Sequence, residues 1–295
     1  GRGLAVVALG KLGSREMTVT SDLDLIFIYD VPEGIDGWDN LQSDGAKPLA
    51  PIQYYARLAQ RLITALTAMT GDGKLYDVDM RLRPSGNSGP IASGLPPFAR
   101  YQRQEAWTWE HMALTRARLI AGDPTFQIDV DESLARILAV ARDPEKLRHD
   151  VVDMRERMAQ QHKGESLWDF KHQRGGLVDI DFIAQYLMLR HAAEHPEILR
   201  RNPADALAAL MAAKLLDTQT ADRLIAALNL WRQLQQMIRL LVGEAVDEAK
   251  LRPPTARHLA KCGGCPDFSV LKALIRDTAA GVYDDFKRIL GVTAA

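Results

Sequence analysis

Two aspartates stand two residues apart in the stretch SDLDLIFIYD, at Asp22 and Asp24. On a strand, residues two apart leave the same face. Both carboxylates then project together, and two like charges held that close repel each other. A divalent cation between them removes the repulsion. Mg²⁺ suits this donor set, because it takes one or two carboxylates and completes its shell with substrate phosphates and water. Upstream, Gly13-Ser14 sits in a short turn where backbone N–H groups and a hydroxyl could meet phosphate oxygens. Ser21 adds a second hydroxyl immediately before the first aspartate. A third carboxylate is wanted on a neighbouring strand, and Asp79 supplies it in KLYDVDMRLR. Arg81 and Arg83 follow on the same alternating face, where guanidinium groups could grip a triphosphate.

A set of elements must position these residues. Leu4 to Leu9 is a continuous apolar run, as in a strand buried on both faces. Asp22 to Tyr29 reads as a second strand. Residues 31–50, rich in Gly, Pro, Asp and Asn, read as a loop. Ile52, Tyr55, Leu58, Leu62, Ile63 and Leu66 recur at helical spacing, which predicts a helix over 51–69. Strict alternation over Lys74 to Arg83 predicts a third strand, with Asp79, Arg81 and Arg83 on its polar face. A loop follows to Pro97, then a helix over 97–112 and a fourth strand over Leu114 to Ala121. Beyond Gly122-Asp123-Pro124 the pattern is helical, near 144–162, 177–192, 203–214, 219–248 and 268–290. The expected organisation is a domain of 1–125 with a small mixed sheet, then an all-α helical bundle over 126–295, an α+β chain.

Composition narrows the function. Among 295 residues, 47% are hydrophobic and 25% charged, ordinary for a globular protein. Lys and Arg number 37 against 38 Asp and Glu, so the basic surplus of a nucleic-acid-gripping surface is missing. No run approaches the length of a membrane span. Gly1-Arg2-Gly3 has no signal-peptide layout, and the chain does not open on Met, as expected of a piece of something longer. With two cysteines, Cys262 and Cys265, no disulfide framework is expected, and a cytoplasmic setting is the natural one.

The order of Gly-Ser, Asp-x-Asp and a distant third acid resembles the polymerase-beta-like nucleotidyltransferase superfamily. Four blocks go further: GKLGSREMTVTSDLDLIFIYD, LYDVDMRLRPSGNSGP, EAWTWEHMALTRAR and KHQRGGLVDIDF, in that order, resemble the glutamine synthetase adenylyltransferase family from about residue 4 to at least 192. That family has two related halves, one adding AMP to a tyrosine of glutamine synthetase and one removing it by phosphorolysis. EAWTWEH is more similar to the adenylylating, C-terminal half. Ser14 stands where the family often has a second glycine. The resemblance implies ATP as substrate and two Mg²⁺ ions held by Asp22, Asp24 and Asp79. It places Gly13, Ser14 and Ser21 at the phosphate-binding turn, and implies control by glutamine and the PII signalling protein. The rival readings are the AMP-removing half, a uridylyltransferase, a nucleic-acid polymerase-like or tRNA-modifying enzyme, which fits the charge balance poorly, and a catalytically silent nucleotide-binding module.

Other residues draw plainer readings. Asp179 and Asp181 repeat the Asp-x-Asp spacing in a predicted helix, where residues two apart do not face each other, so a structural role is expected. Asp169 and Lys171 read the same way. Arg116 and Arg118 fit either phosphate contacts or a salt-bridged strand face. Trp107 and Trp109 are expected to pack. His258, Cys262 and Cys265 fall short of the four ligands of a structural zinc site.

Overall fold

The computed structural model describes residues 2–18, 20–31, 41–162, 164, 166–243 and 246–292. Parts of the loop expected at 31–50 and of the helix expected to reach 248 lie outside the described residues. The apolar run forms strand β1 (Leu4–Ala8), nearly all of it buried. One turn of helix, α1 (Gly10–Gly13), stands where a plain turn was expected. Strand β2 (Leu23–Tyr29) follows and is buried along most of its length. Helix α2 (Pro51–Thr67) starts on a proline, whose fixed φ and missing N–H suit a first helical turn. Its apolar stripe lies on the sheet, with Tyr55 stacked on Tyr29 at 4.6 Å between ring centroids.

The expected third strand is broken. A small hairpin, β3 (Met69–Thr70) with β4 (Gly73–Lys74), precedes a two-residue strand, β5 (Val78–Asp79). The physical cause of the stop is Asp79 itself. Its carboxylate accepts the backbone N–H of Arg81 at 2.8 Å, the local turn that Asp side chains favour over a continuing ladder. Arg81 and Arg83 therefore leave the strand, contrary to the alternation pattern. The next elements are β6 (Ala92–Gly94), α3 (Leu95–Gln104), α4 (Thr108–Leu114) and β7 (Arg118–Ala121). The helix expected at 97–112 is two helices. Glu110 makes the break by accepting the backbone N–H of Trp107 at 2.8 Å and the Tyr101 hydroxyl at 2.9 Å.

The sheet runs β5-β2-β1-β7, with β6 also paired to β2. β1 is antiparallel to β2 and β7, and β2 is parallel to β5 and β6, so the sheet is mixed, as expected. Helices then follow: α5 (Pro124–Leu138), α6 (Pro144–Gln161), α7 (Leu177–His191), α8 (Pro203–Ala212), α9 (Thr218–Leu241), α10 (Pro253–Cys262) and α11 (Phe268–Leu290). Asp123, Asp143, Asp217 and Asp267 each cap a helix by accepting backbone N–H groups of its first turn.

Two compact units result: Gly1–Ala141 with His191–Asn202, and Arg142–Arg190 with Pro203–Ala295. The grouping does not break near residue 125, because α5 packs on α3, α4 and β7. In the second unit Trp231 of α9 is fully buried, stacks on Phe170 at 5.1 Å and donates its Nε1–H to the Gly175 carbonyl at 3.0 Å. No helix among the described residues is long and apolar enough to cross a membrane.

Candidate functional site

The two strands that carry the acids are parallel neighbours. Leu23 pairs with Val78 and Asp24 with Asp79, so the latter two carboxylates start side by side on one face. Parallel strands lie about 4.8 Å apart, close enough for the two charges to interact strongly. Asp22 lies just before β2 and is exposed, while Asp24 is half-buried. Burial, then the charges of Asp79 and Asp22, push the Asp24 carboxyl up to about 6, and the cations Arg81 and Arg116 only partly offset this. Asp79 is held below the usual carboxylate range, chiefly by hydrogen bonds from the Arg81 side chain.

A cleft of about 560 Å³ opens over this edge of the sheet. Asp22, Asp79, Arg81 and Arg83 line it, joined by Gln60 from α2 and Asn87 from the loop after β5. Its volume falls in the range of small-molecule sites, about 300–1,000 Å³. The donor chemistry fits a hard divalent cation: acidic oxygens, two of them adjacent, one held partly neutral by its neighbours' charge. Among the described residues, no three acidic, His or Cys side chains are grouped ready to hold one ion.

The other expected site residues fare differently. Ser14 is buried, and its hydroxyl donates to the Gly10 carbonyl at 3.0 Å and contacts Glu16. Ser21 Oγ accepts the Thr18 backbone N–H at 3.0 Å and lies 2.8 Å from the Thr18 hydroxyl. Both hydroxyls are thus engaged within their own loops rather than presented to a ligand. Gly13 is needed for packing, since a Cβ there would collide with the Arg116 carbonyl and lie 2.8 Å from that of Ala8. Both obstacles are backbone and cannot turn aside. Gly13→Ala is therefore expected to cost about 3 kcal/mol or more, seen as an early urea midpoint. Arg83 donates to the carbonyls of Gly89 at 3.3 Å and Met80 at 2.9 Å, fixing the loop that walls the cleft.

One feature was not anticipated, the role of Gly10, while the two readings open for Arg116 and Arg118 now have partners to weigh. Gly10 has φ +49°, and a Cβ there would overlap the Asp24 carboxylate, so this glycine gives Asp24 its room. Arg116 pairs with Glu16 at 3.4 Å, and its charge reaches Asp24. Arg118 grips the carbonyls of Leu12 and Gly13, so it braces α1 from behind. Trp107, expected to pack, is 71% exposed. In the second unit Asp179 is fully buried against Arg155, as the structural reading required. Cys262 Sγ contacts the Gln233 carbonyl and Cys265 Sγ that of Gly263, and neither joins a metal cluster among the described residues.

Residues 1–133 match the family model described as glutamate-ammonia ligase adenylyltransferase. Residues 145–284 match that described as GlnD PII-uridylyltransferase. The chain is 48% identical over its full length to a bifunctional glutamine synthetase adenylyltransferase/adenylyl-removing enzyme of Xanthobacter autotrophicus, of which it covers 29%. It is 47% identical over 99% of its length to a protein of the same description from Rhodopseudomonas palustris, again covering 29%. A Bradyrhizobium protein so described is 46% identical over 98% of the chain. The chain spans less than a third of the length of these curated relatives.

Proposed function

We propose that this chain is a part of a glutamate-ammonia ligase adenylyltransferase and that it transfers AMP from ATP to a tyrosine of glutamine synthetase. The observation that carries the reading is the pairing of Asp24 with Asp79 at the edge of a cleft that Asp22 and two arginines also line. The choice of the adenylylating direction rests on the similarity of EAWTWEH to that half.

Asp22, Asp24 and Asp79 would hold Mg²⁺, which when bound supplies charge neutralisation at the phosphates and lowers the pKa of the attacking hydroxyl. Asp24, crowded and half-buried, is the acid whose charge most needs such a counterion. Asp79 stays ionised at neutral pH and orients the acceptor phenol as a hydrogen-bond acceptor. Arg81, largely exposed at the rim and paired with Asp79, would meet the triphosphate by turning away from that carboxylate. Arg83, tied to two carbonyls, holds the wall of the cleft in place. PII and the control of this activity belong to the same proposal, and the match of residues 145–284 to a PII-uridylyltransferase model supports it.

The test is incubation of the chain with labelled ATP, Mg²⁺ and unmodified glutamine synthetase. Metal-dependent label on a tyrosine of the synthetase is expected. Loss of AMP from modified synthetase on adding phosphate, with no forward transfer, would assign the removing half instead. A finer check is Gly10→Ala. Its new methyl displaces the Asp24 carboxylate, and misplacing a catalytic group by about 1 Å costs on the order of 100-fold in rate. Transfer within three-fold of wild type would show that Asp24 tolerates displacement and is not a metal ligand.

A further inference from the structure

Asp79 is the least available of the three acids. The Arg81 backbone N–H donates to its Oδ1 at 2.8 Å, and Nε donates to Oδ1 at 3.1 Å and Oδ2 at 2.8 Å. Nη2 closes on Oδ2 as well. Both carboxylate oxygens are thus taken by one residue. The two ends of this pair are unequal: the Asp79 side chain is 17% exposed, whereas that of Arg81 is 75% exposed. The guanidinium lies against the carboxylate from the solvent side, at the rim of the cleft. Asp24 and Asp79 are register partners on neighbouring strands.

We propose that Arg81 is a placeholder cation: it neutralises Asp79 while the cleft is empty, then turns to the nucleotide phosphates and releases Asp79 to the divalent ion. The inference rests on reading the cleft as a nucleotide and metal site. Two structural details make the exchange workable. First, the backbone N–H of Arg81 keeps its bond to Oδ1 when the side chain leaves, so the carboxylate stays oriented while Oδ2 opens. Second, Arg83 cannot substitute, because its guanidinium is held by the Gly89 and Met80 carbonyls. An exposed guanidinium pays little to exchange one anionic partner for another, and a triphosphate offers more charge than one carboxylate. The consequence is coupling. Nucleotide tightens the ion and the ion tightens nucleotide by the same factor.

The experiment is titration of the chain with Mn²⁺, free ion being followed by electron paramagnetic resonance, with and without a non-hydrolysable ATP analogue. Without nucleotide, Arg81→Gln is expected to bind Mn²⁺ about ten-fold more tightly than wild type, and the extra tightening by the analogue is expected to shrink. Arg83→Gln removes the same charge from the same cleft and is expected to change nucleotide-free affinity by less than about three-fold. Equal tightening in both variants, or none in Arg81→Gln, would overturn the placeholder role and leave the metal site standing. Mn²⁺ binding that is absent from every variant, or indifferent to Asp24→Asn, would overturn the metal site and the placeholder together.

Discussion

Asp24→Asn is expected to abolish AMP transfer, by about 10³-fold or more, while making the cation-free protein more stable at pH 8. The two effects share one cause. Asp24 is half-buried beside Asp79, and burial with the charges of Asp79 and Asp22 pushes its carboxyl up to about 6. The native state therefore holds this proton more tightly than the unfolded chain does. Stability from this group is fully present below the unfolded value. It is lost as pH rises to about 6, the folded value. The full loss corresponds to about 3 kcal/mol, and solvent screening of a half-exposed group brings it nearer 1–2 kcal/mol. An amide keeps the shape and removes the charge. Thermal unfolding at pH 8 should then show a higher midpoint for Asp24→Asn than for wild type, and the gap should close toward pH 4. Adding Mg²⁺ should raise the wild-type midpoint and leave the variant's unmoved. A variant that is inactive but also less stable at pH 8 would make Asp24 a structural residue rather than a strained ligand.

The acids were legible in the sequence because their signal is local. Asp-x-Asp on a strand needs only period two, and Asp79 stood out on the next polar strand face. The structure places Asp24 and Asp79 in direct register. What sequence reasoning missed depends on contacts between distant segments or on local competition for hydrogen bonds. Arg81 and Arg83 looked like a strand face because alternation continues past Asp79, yet the Asp79 side chain captures the Arg81 N–H and ends the strand. Ser14 looked like an open phosphate ligand, but Gly13-Ser14 is wedged against Ala8 and Arg116, whose approach no pattern near residue 14 announces. Gly10 matters because β1 and β2 pair with Ala8 opposite Leu25, which brings Asp24 under it. Helix α5 was the avoidable miss, since Asp123-Pro124 is a plain N-cap followed by a first-turn proline.

The second unit is expected to depend on one buried pair. Asp179 is fully buried at the start of α7, and Arg155 of α6 is 1% exposed. Arg155 grips Asp179 through Nε, with Nη2 at 3.3 Å, and that Nη2 also donates to the His172 carbonyl at 3.1 Å. Asp179 in turn accepts the backbone N–H of Gly175, whose φ of +77° and close approach to the Ala279 backbone admit no side chain. The pair thus pins the KHQRGG loop between two helices, and Trp231 closes it from a third. Asp179→Ala leaves the guanidinium buried without a counter-charge, which costs about 3–5 kcal/mol. Urea unfolding followed by tryptophan fluorescence should shift by that amount. Exchanging both partners for apolar residues, Arg155→Met with Asp179→Leu, removes the stranded charge and should cost less than Asp179→Ala alone. A double variant worse than the single one would mean that the pair's hydrogen bonds to the loop, rather than its charges, hold α6 and α7 together.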